Sequence, residues 1–201
     1  MSWGIIGAGA IGQALAARFT AAGQEVVISN SRGPQSLAQL ASELGSNLHP
    51  GTVAEAGAAD TVVLAVPWSQ VPAAVDAAGV ADWRDRIVVD TTNPLEPPDF
   101  RVADLGGRTS SEVVQDLVAG ARLVKAFNTL APAALAAEPR TGAGRRVVFL
   151  SGDHPGANRE VATLVHAAGW APVDLGPLAV GGRLQQFPGG PLPTLDLLLQ
   201  G

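Results

Sequence analysis

Three stretches of this chain carry residues whose types and spacing could do chemistry. The first is Gly7-Ala8-Gly9-Ala10-Ile11-Gly12, a G-x-G-x-x-G set between an apolar run and a segment in which Ile11, Leu15 and Phe19 recur at helical spacing. Between a strand and a helix, glycines so placed serve a dinucleotide: Gly7 permits the tight turn, Gly9 lets a pyrophosphate approach the backbone, and Gly12 lets the helix lie close on the strand. The helix N-terminus adds unpaired N–H groups and a favourable dipole for phosphate. The second stretch is "EVVISNSRGP", residues 25–34, which carries Asn30, Ser31 and Arg32 where a ribose-binding acid is expected. A carboxylate there would repel a 2′-phosphate, whereas Asn30 and Ser31 can donate to phosphate oxygens and Arg32 adds a fixed charge on a planar donor fork. The ligand these residues fit is NADP(H).

The third group lies at the carboxyl ends of later strands. Ala65-Val66-Pro67-Trp68 ends one of them; Pro67 stiffens the turn, and Trp68 offers a flat face that either walls a cofactor or serves as core or lid. "DTTNP", residues 90–94, presents hydroxyl and amide groups, Asn93 among them, able to meet a ribose or carboxamide; the alternative is a satisfied Asx turn before proline. "LVKAFNTLA", residues 123–131, holds Lys125, the sole lysine of the chain, and Asn128, which is the better candidate for a nicotinamide contact. A lysine in an apolar strand needs a partner or a task, so structural and catalytic roles both stay open for Lys125.

Absences narrow the chemistry. With no cysteine there are no disulfides, thiolate metal sites or iron–sulfur clusters, and with no tyrosine there is no Tyr/Lys proton relay. His49, His154 and His166 fall in a turn, a loop and a helix without a carboxylate to orient them, and no His–carboxylate cluster has metal-ligand spacing. No catalytic side chain and no metal ligand are assigned. A hydride carrier without an acid–base group suits an acceptor that takes hydride directly, as a flavin or deazaflavin ring does. The other readings are a small carbonyl or imine reductase using Asp174 or Lys125 as proton donor, and a non-catalytic module that senses NADP(H).

Positioning these loops requires alternating strands and helices. Continuous apolar runs at 3–7, 25–29, 61–66, 86–90, 122–127, 146–151 and 170–175 read as strands buried on both faces, separated by helical patterns near 34–45, 69–79, 110–120 and 155–168 and by an alanine-rich segment at 131–137. The expected fold is α/β, a doubly wound, mostly parallel Rossmann-type sheet. We expect one NADP-binding domain over residues 1–175. Residues 176–201, rich in Gly and Pro, should form a C-terminal extension on that core or on the partner of a homodimer. Hydrophobic residues make up 47% and charged ones 15%, as in a compact globular chain, and the net charge of −5 favours neither nucleic acid nor a membrane surface. "MSWGIIGAG" enters an apolar strand within three residues, leaving no basic leader, and no apolar run is long enough to span a bilayer. A soluble, cytoplasmic protein with a small-molecule redox substrate is expected.

The pieces "GIIGAGAIG", "SNSR", "AVPW", "DTTNP", "VKAFNT" and "DLGPL" run in order along nearly the whole chain. In these the chain resembles the NADP-dependent coenzyme F420 reductases, or F420H2:NADP oxidoreductases, and their wider set of dinucleotide-binding relatives. The resemblance implies that Ala8 to Ile11 follow the pyrophosphate, that Asn30, Ser31 and Arg32 hold the 2′-phosphate, and that Val66, Pro67, Trp68, Ser69, Asn93 and Asn128 border the cofactor. It further implies hydride transfer between nicotinamide and coenzyme F420 with no catalytic side chain, in a homodimer.

Overall fold

The computed structural model describes residues 2–96 and 98–200. The chain enters as β1 (Trp3–Ile6), turns through the glycine loop into α1 (Ala10–Ala21), and continues as β2 (Val26–Ser29), α2 (Ala38–Leu44), β3 (Leu48–Pro50), α3 (Val53–Gly57), β4 (Thr61–Leu64), α4 (Val71–Ala78) and β5 (Ile87–Asp90). A small hairpin, β6 (Leu95–Glu96) and β7 (Arg101–Val102), precedes α5 (Ser110–Leu117), β8 (Arg122–Ala126), α6 (Pro132–Ala136), β9 (Arg140–Thr141) and β10 (Gly144–Ser151). Then follow α7 (Pro155–Ala167), β11 (Ala171–Asp174), α8 (Arg183–Gln185) and β12 (Leu198–Leu199).

Apolar side chains explain this layering. Successive residues of a strand point to opposite faces, so Ile5, Val63, Val89 and Val124 join one core while Ile6, Leu64, Val88 and Leu123 join the other. Helices α1 and α7 cover the first face through Leu15, Phe19, Val161 and Val165; α4 and α5 cover the second through Val71, Val75 and Val114. Trp3, Phe19, Phe127 and Trp170 run through the first core as a chain of tilted rings with centroids 5.5, 6.0 and 5.6 Å apart. This is the doubly wound α/β arrangement that the continuous apolar runs predict.

The sheet order is β11-β10-β8-β5-β4-β1-β2-β3, parallel throughout except between β8 and β10, so β10 and β11 run against the rest. The chain passes from β8 to β10 through α6 and β9, and β9 itself pairs antiparallel with β10. The sequence pattern also passes over β3, α3 and the β6–β7 hairpin, whose short segments carry too few residues to show a period. The segment after β11 lies on its own chain: Leu178 and Gln185 are buried, and β12 pairs antiparallel with Arg145 and Arg146 of β10.

Candidate active site

Two cavities open at the carboxyl edge, where the strand order reverses between β1 and β4. The first, about 660 Å³, lies between the glycine loop, the loop after β2, the start of α3 and one face of α4. The second, about 430 Å³, lies between the start of α1, the loops after β4 and β5, and the β6–β7 hairpin. Gly9, Ala65, Val66 and Pro67 line both, so the two form one groove across the switch point, the place where open α/β sheets bind nucleotides.

The three motif glycines are glycine for three different reasons. Gly7 has φ +110°, and a Cβ there would lie 2.2 Å from the Ala65 carbonyl oxygen, so the turn excludes any other residue. A Cβ on Gly12 would lie 1.9 Å from the Gly7 carbonyl oxygen, so Gly12 lets α1 pack on the turn. Gly9 is constrained by neither cause: its φ is −76° and nothing lies within 4 Å of where its Cβ would be. That open space lies directly before α1. Gly9 is the N-cap, no side chain caps the helix, and no acid sits in its first turn, whereas α3 and α5 each carry a Thr/Glu capping box. The positive end of the α1 dipole is therefore left for a ligand.

At the far end of the first cavity stand Asn30, Ser31 and Arg32. The Asn30 carboxamide does more shaping than presenting: its oxygen accepts from the Arg32 N–H at 2.9 Å, and its nitrogen donates to Ser36 Oγ at 2.9 Å. This Asx turn and Gly33, at φ +87°, hold the loop open. Arg32 is exposed and its guanidinium has no carboxylate partner among the described residues. An unpaired guanidinium and an uncapped helix end, placed at two points of one groove, fit a ligand with two separate anionic groups. NADP(H) is such a ligand.

The second cavity is walled by Ala10, Ile11, Trp68, Leu95, Phe100 and Pro132, and floored by Thr91, Thr92 and Asn93. The hydroxyl hydrogens of its floor and one amide hydrogen of Asn93 are committed. Thr91 Oγ donates to the Leu64 carbonyl at 2.9 Å, and Thr92 Oγ donates to Asp90 at 2.7 Å. Asn93 donates to the Asn128 carbonyl at 3.1 Å and accepts from the Asn128 side chain at 2.9 Å. Asn128 itself is buried, lines neither cavity, and also donates to the Gln185 carbonyl at 2.7 Å. It backs Asn93, and the turn that brings it there places Phe127 at φ +64°. Ser69 is exposed on the helical turn Trp68–Gln70 and also lines neither cavity. Of the residues expected to border the cofactor, Asn128 and Ser69 therefore stand outside the groove.

Behind the floor lies a closed ion pair. Lys125 Nζ is 3.0 Å from Asp90 Oδ2, with side chains 1% and 0% exposed. Burial alone would raise the Asp90 carboxyl, but Lys125 and the donors Ser111 and Thr92 overcome it and hold it below the usual carboxylate range. Burial pushes the Lys125 ammonium down, against the pull of Asp90. The backbone groups around the pair suit its ionised form: the Thr92 N–H donates to Asp90 and the Thr92 carbonyl accepts from Lys125. Neither lines a cavity. Asp174, the other candidate proton donor, is bound to Asn158 and to the Gly176 N–H, and it too lies outside the groove.

Several lining residues were not singled out in the sequence: Thr52, Val53, Ala74 and Phe100. One had a readable signal. "TVAE", residues 52–55, spells a capping box and hence the start of α3, with Thr52 Oγ accepting from Glu55 N at 3.1 Å. Phe100 sits in an irregular stretch between Asp99 and Arg101 that shows no period.

Among the described residues, no cluster of three or more His, Cys, Asp or Glu could hold a metal ion, and no helix is long and apolar enough to cross a membrane.

Comparison with known proteins agrees with this geometry. The chain is 51% identical to a hypothetical protein of Sinorhizobium meliloti whose crystal structure superposes with a TM-score of 0.93 over 100% of this chain and 96% of that one. A protein of Arthrobacter sp. FB24, designated provisionally as an F420-dependent NADP-reductase, is 29% identical with a TM-score of 0.76, over 89% of this chain and 86% of that one. Metalloreductase STEAP3 of Rattus norvegicus is 29% identical over 192 residues, 95% of this chain; the match spans 37% of that longer protein. Residues 2–94, which carry the glycine loop, the Arg32 loop and the floor of the second cavity, match the family model for "NADP oxidoreductase coenzyme F420-dependent". Over these residues the chain matches a family of Rossmann-type NADP-dependent oxidoreductases.

Proposed function

We propose that this protein binds NADPH along the groove and passes its hydride to a planar ring, a deazaflavin such as coenzyme F420 or a flavin. In this reading the 2′-phosphate lies at Ser31 and Arg32, the pyrophosphate crosses Gly9 at the end of α1, and the nicotinamide rests in the second cavity. NADPH supplies the hydride; the residues supply binding, orientation and a dry wall.

The observation that carries the reading is the state of the second cavity's polar groups. The Thr91 and Thr92 hydroxyl hydrogens and one Asn93 amide hydrogen are committed to the protein, no titratable side chain among the described residues lines the second cavity, and neither Lys125 nor Asp174 reaches the groove. A carbonyl or imine acceptor needs a proton donor beside the reacting atom, whereas a ring that takes hydride at its central position, a carbon in a deazaflavin and a nitrogen in a flavin, can collect its proton from solvent at another ring nitrogen. The apolar walls support a flat partner as well. Phe100, 68% exposed on the hairpin, is free to lie against one.

The test is NADPH oxidation, followed at its absorbance band, with coenzyme F420, free flavin or a ferric chelate as acceptor. Turnover that is fast with a ring and flat across neutral pH supports the proposal. Turnover confined to carbonyls or imines, with a bell-shaped pH profile, rejects it. A homodimer belongs to the same reading, supported by the exposed Leu195, Leu197, Leu198 and Leu199 of the C-terminal segment; sedimentation would decide it.

A further inference from the structure

The buried pair of Lys125 and Asp90 touches no part of the groove, yet its hydrogen bonds converge on one residue that does. Asp90 Oδ1 accepts from both the Thr92 N–H, at 2.8 Å, and the Thr92 hydroxyl, at 2.7 Å. Asp90 Oδ2 accepts from Ser111 Oγ at 2.6 Å and from Lys125 at 3.0 Å. The remaining donors of Lys125 go to the Thr92 carbonyl and to Ser110 Oγ at 3.2 Å. All three polar groups of Thr92 are thus held from behind by a single ion pair, and Thr92 is the middle residue of the floor Thr91–Asn93.

The arrangement follows from the sheet. Asp90 and Lys125 are register partners at the carboxyl ends of the adjacent strands β5 and β8, so a long side chain from β8 can reach over the end of β5 to the carbonyl two residues beyond it. Only a cation on a flexible stem can donate to a carbonyl, a carboxylate and a hydroxyl at once. For stability alone the fold gains little from this, since a well-packed apolar pair commonly serves as well as a buried ion pair. Asp90 also takes the Thr92 hydroxyl proton, so toward the groove that oxygen presents only lone pairs, suited to the N–H of a carboxamide.

We propose that Lys125 and Asp90 are positioning residues for the nicotinamide: they set the height and direction of the floor Thr91–Asn93 on which the ring rests, without meeting the ligand. This rests on the reading above in one respect, that the nicotinamide half of NADPH occupies the second cavity. The adenosine half lies in the first, which the pair does not touch.

The test compares NADPH with adenosine 2′,5′-bisphosphate, which fills the first cavity alone, by calorimetry on the wild type and on the Lys125→Met/Asp90→Asn double variant. The double variant removes both charges, so no lone buried charge is left to unfold it. The bisphosphate should bind both proteins equally, while the double variant should lose about tenfold in NADPH affinity, the worth of about one lost hydrogen bond to the ring. The fluorescence gain of bound NADPH, which reports a held ring, should fall with it. Parallel weakening of both ligands would mean that the pair only supports the fold, and an unchanged NADPH affinity would mean that the floor stands without it; either overturns the proposal. If the double variant does not fold, Ser110→Ala, which removes one partner of the lysine, should show the same selective pattern at smaller size, and its absence overturns the proposal equally. A wild type that binds the two ligands with equal affinity would instead reject the placement of the nicotinamide in the second cavity, and the reading above with it.

Discussion

Replacing Gly9 and Gly12 separately by alanine tests the site more sharply than any charged substitution, because the two glycines differ in what surrounds them. At Gly9 the backbone already has a φ of −76°, open to any residue, and the added methyl would meet nothing within 4 Å. Its cost to folding should be within about 1 kcal/mol, since alanine is a poorer N-cap but also restricts the unfolded chain. At Gly12 the methyl would lie 1.9 Å from the Gly7 carbonyl oxygen, well inside contact distance, so α1 must move off the turn. Overpacking of that kind costs about 3 kcal/mol, which for a domain of this size lowers Tm by roughly 6–12 °C. The ligand sees the reverse. If a pyrophosphate crosses Gly9, the methyl stands where a phosphate oxygen should meet the backbone, and loss of one charge-assisted hydrogen bond at about 1.5–3 kcal/mol weakens NADPH by roughly one to two decades. Calorimetric titration with NADPH and thermal melts of both variants are the assays. A Gly9→Ala protein that melts like the wild type and binds NADPH equally well would refute the reasoning, because the open space would then have no ligand to explain it.

Three further outcomes are expected. Arg32→Ala should weaken NADPH by about tenfold or more while leaving NADH nearly unchanged; its N–H bond to Asn30 is backbone, so the loop stays formed, and equal loss for both cofactors in titrations would remove the 2′-phosphate from this loop. Phe100→Ala should raise KM for a ring acceptor several-fold, about the worth of one lost aromatic contact, with NADPH affinity kept; steady-state kinetics varying each substrate decides, and a matching rise for NADPH counts against a wall for the acceptor. Asp90, held below its ordinary value, contributes stability that is complete above the unfolded carboxyl value near about 3.9 and is lost as pH falls through the lower folded value. Denaturant melts of the wild type should therefore be level from neutral pH down to about 5 and fall below about 4, with a shallower acid slope in the Lys125→Met/Asp90→Asn double variant; identical slopes would show that the carboxyl does not titrate as the hydrogen bonds require.

How much of this was legible beforehand depends on range. The runs at Trp3–Ile6, Thr61–Leu64 and Ile87–Asp90 are apolar on both faces, and that pattern is enough to predict a covered, mostly parallel sheet. The glycine loop and the Arg32 loop each lie within one turn of chain, so their conformation and the ligand groups expected at them could be argued from spacing alone. Lys125 invited two readings because its partner is 35 residues away, and only the register of β5 on β8 brings Asp90 to it. Asn128 was a fair expectation from its place just past a strand, but whether a side chain faces a groove or backs another residue is set by the turn at Phe127 and by Gln185, which arrives from the far end of the chain.

The sequence by itself therefore determined the layer order of the fold and the two turns expected to take anions, since both arise from interactions between residues close in the chain: strand alternation, glycine conformations and an uncapped helix end. Only the tertiary structure decided that the two turns open into one groove, that β10 runs backwards, and that the hydroxyls on the floor of the second cavity are already spent. Those properties belong to contacts between residues far apart in the chain, where the geometry of packed strands, and no local pattern, says which polar group has a partner and which is left for a ligand.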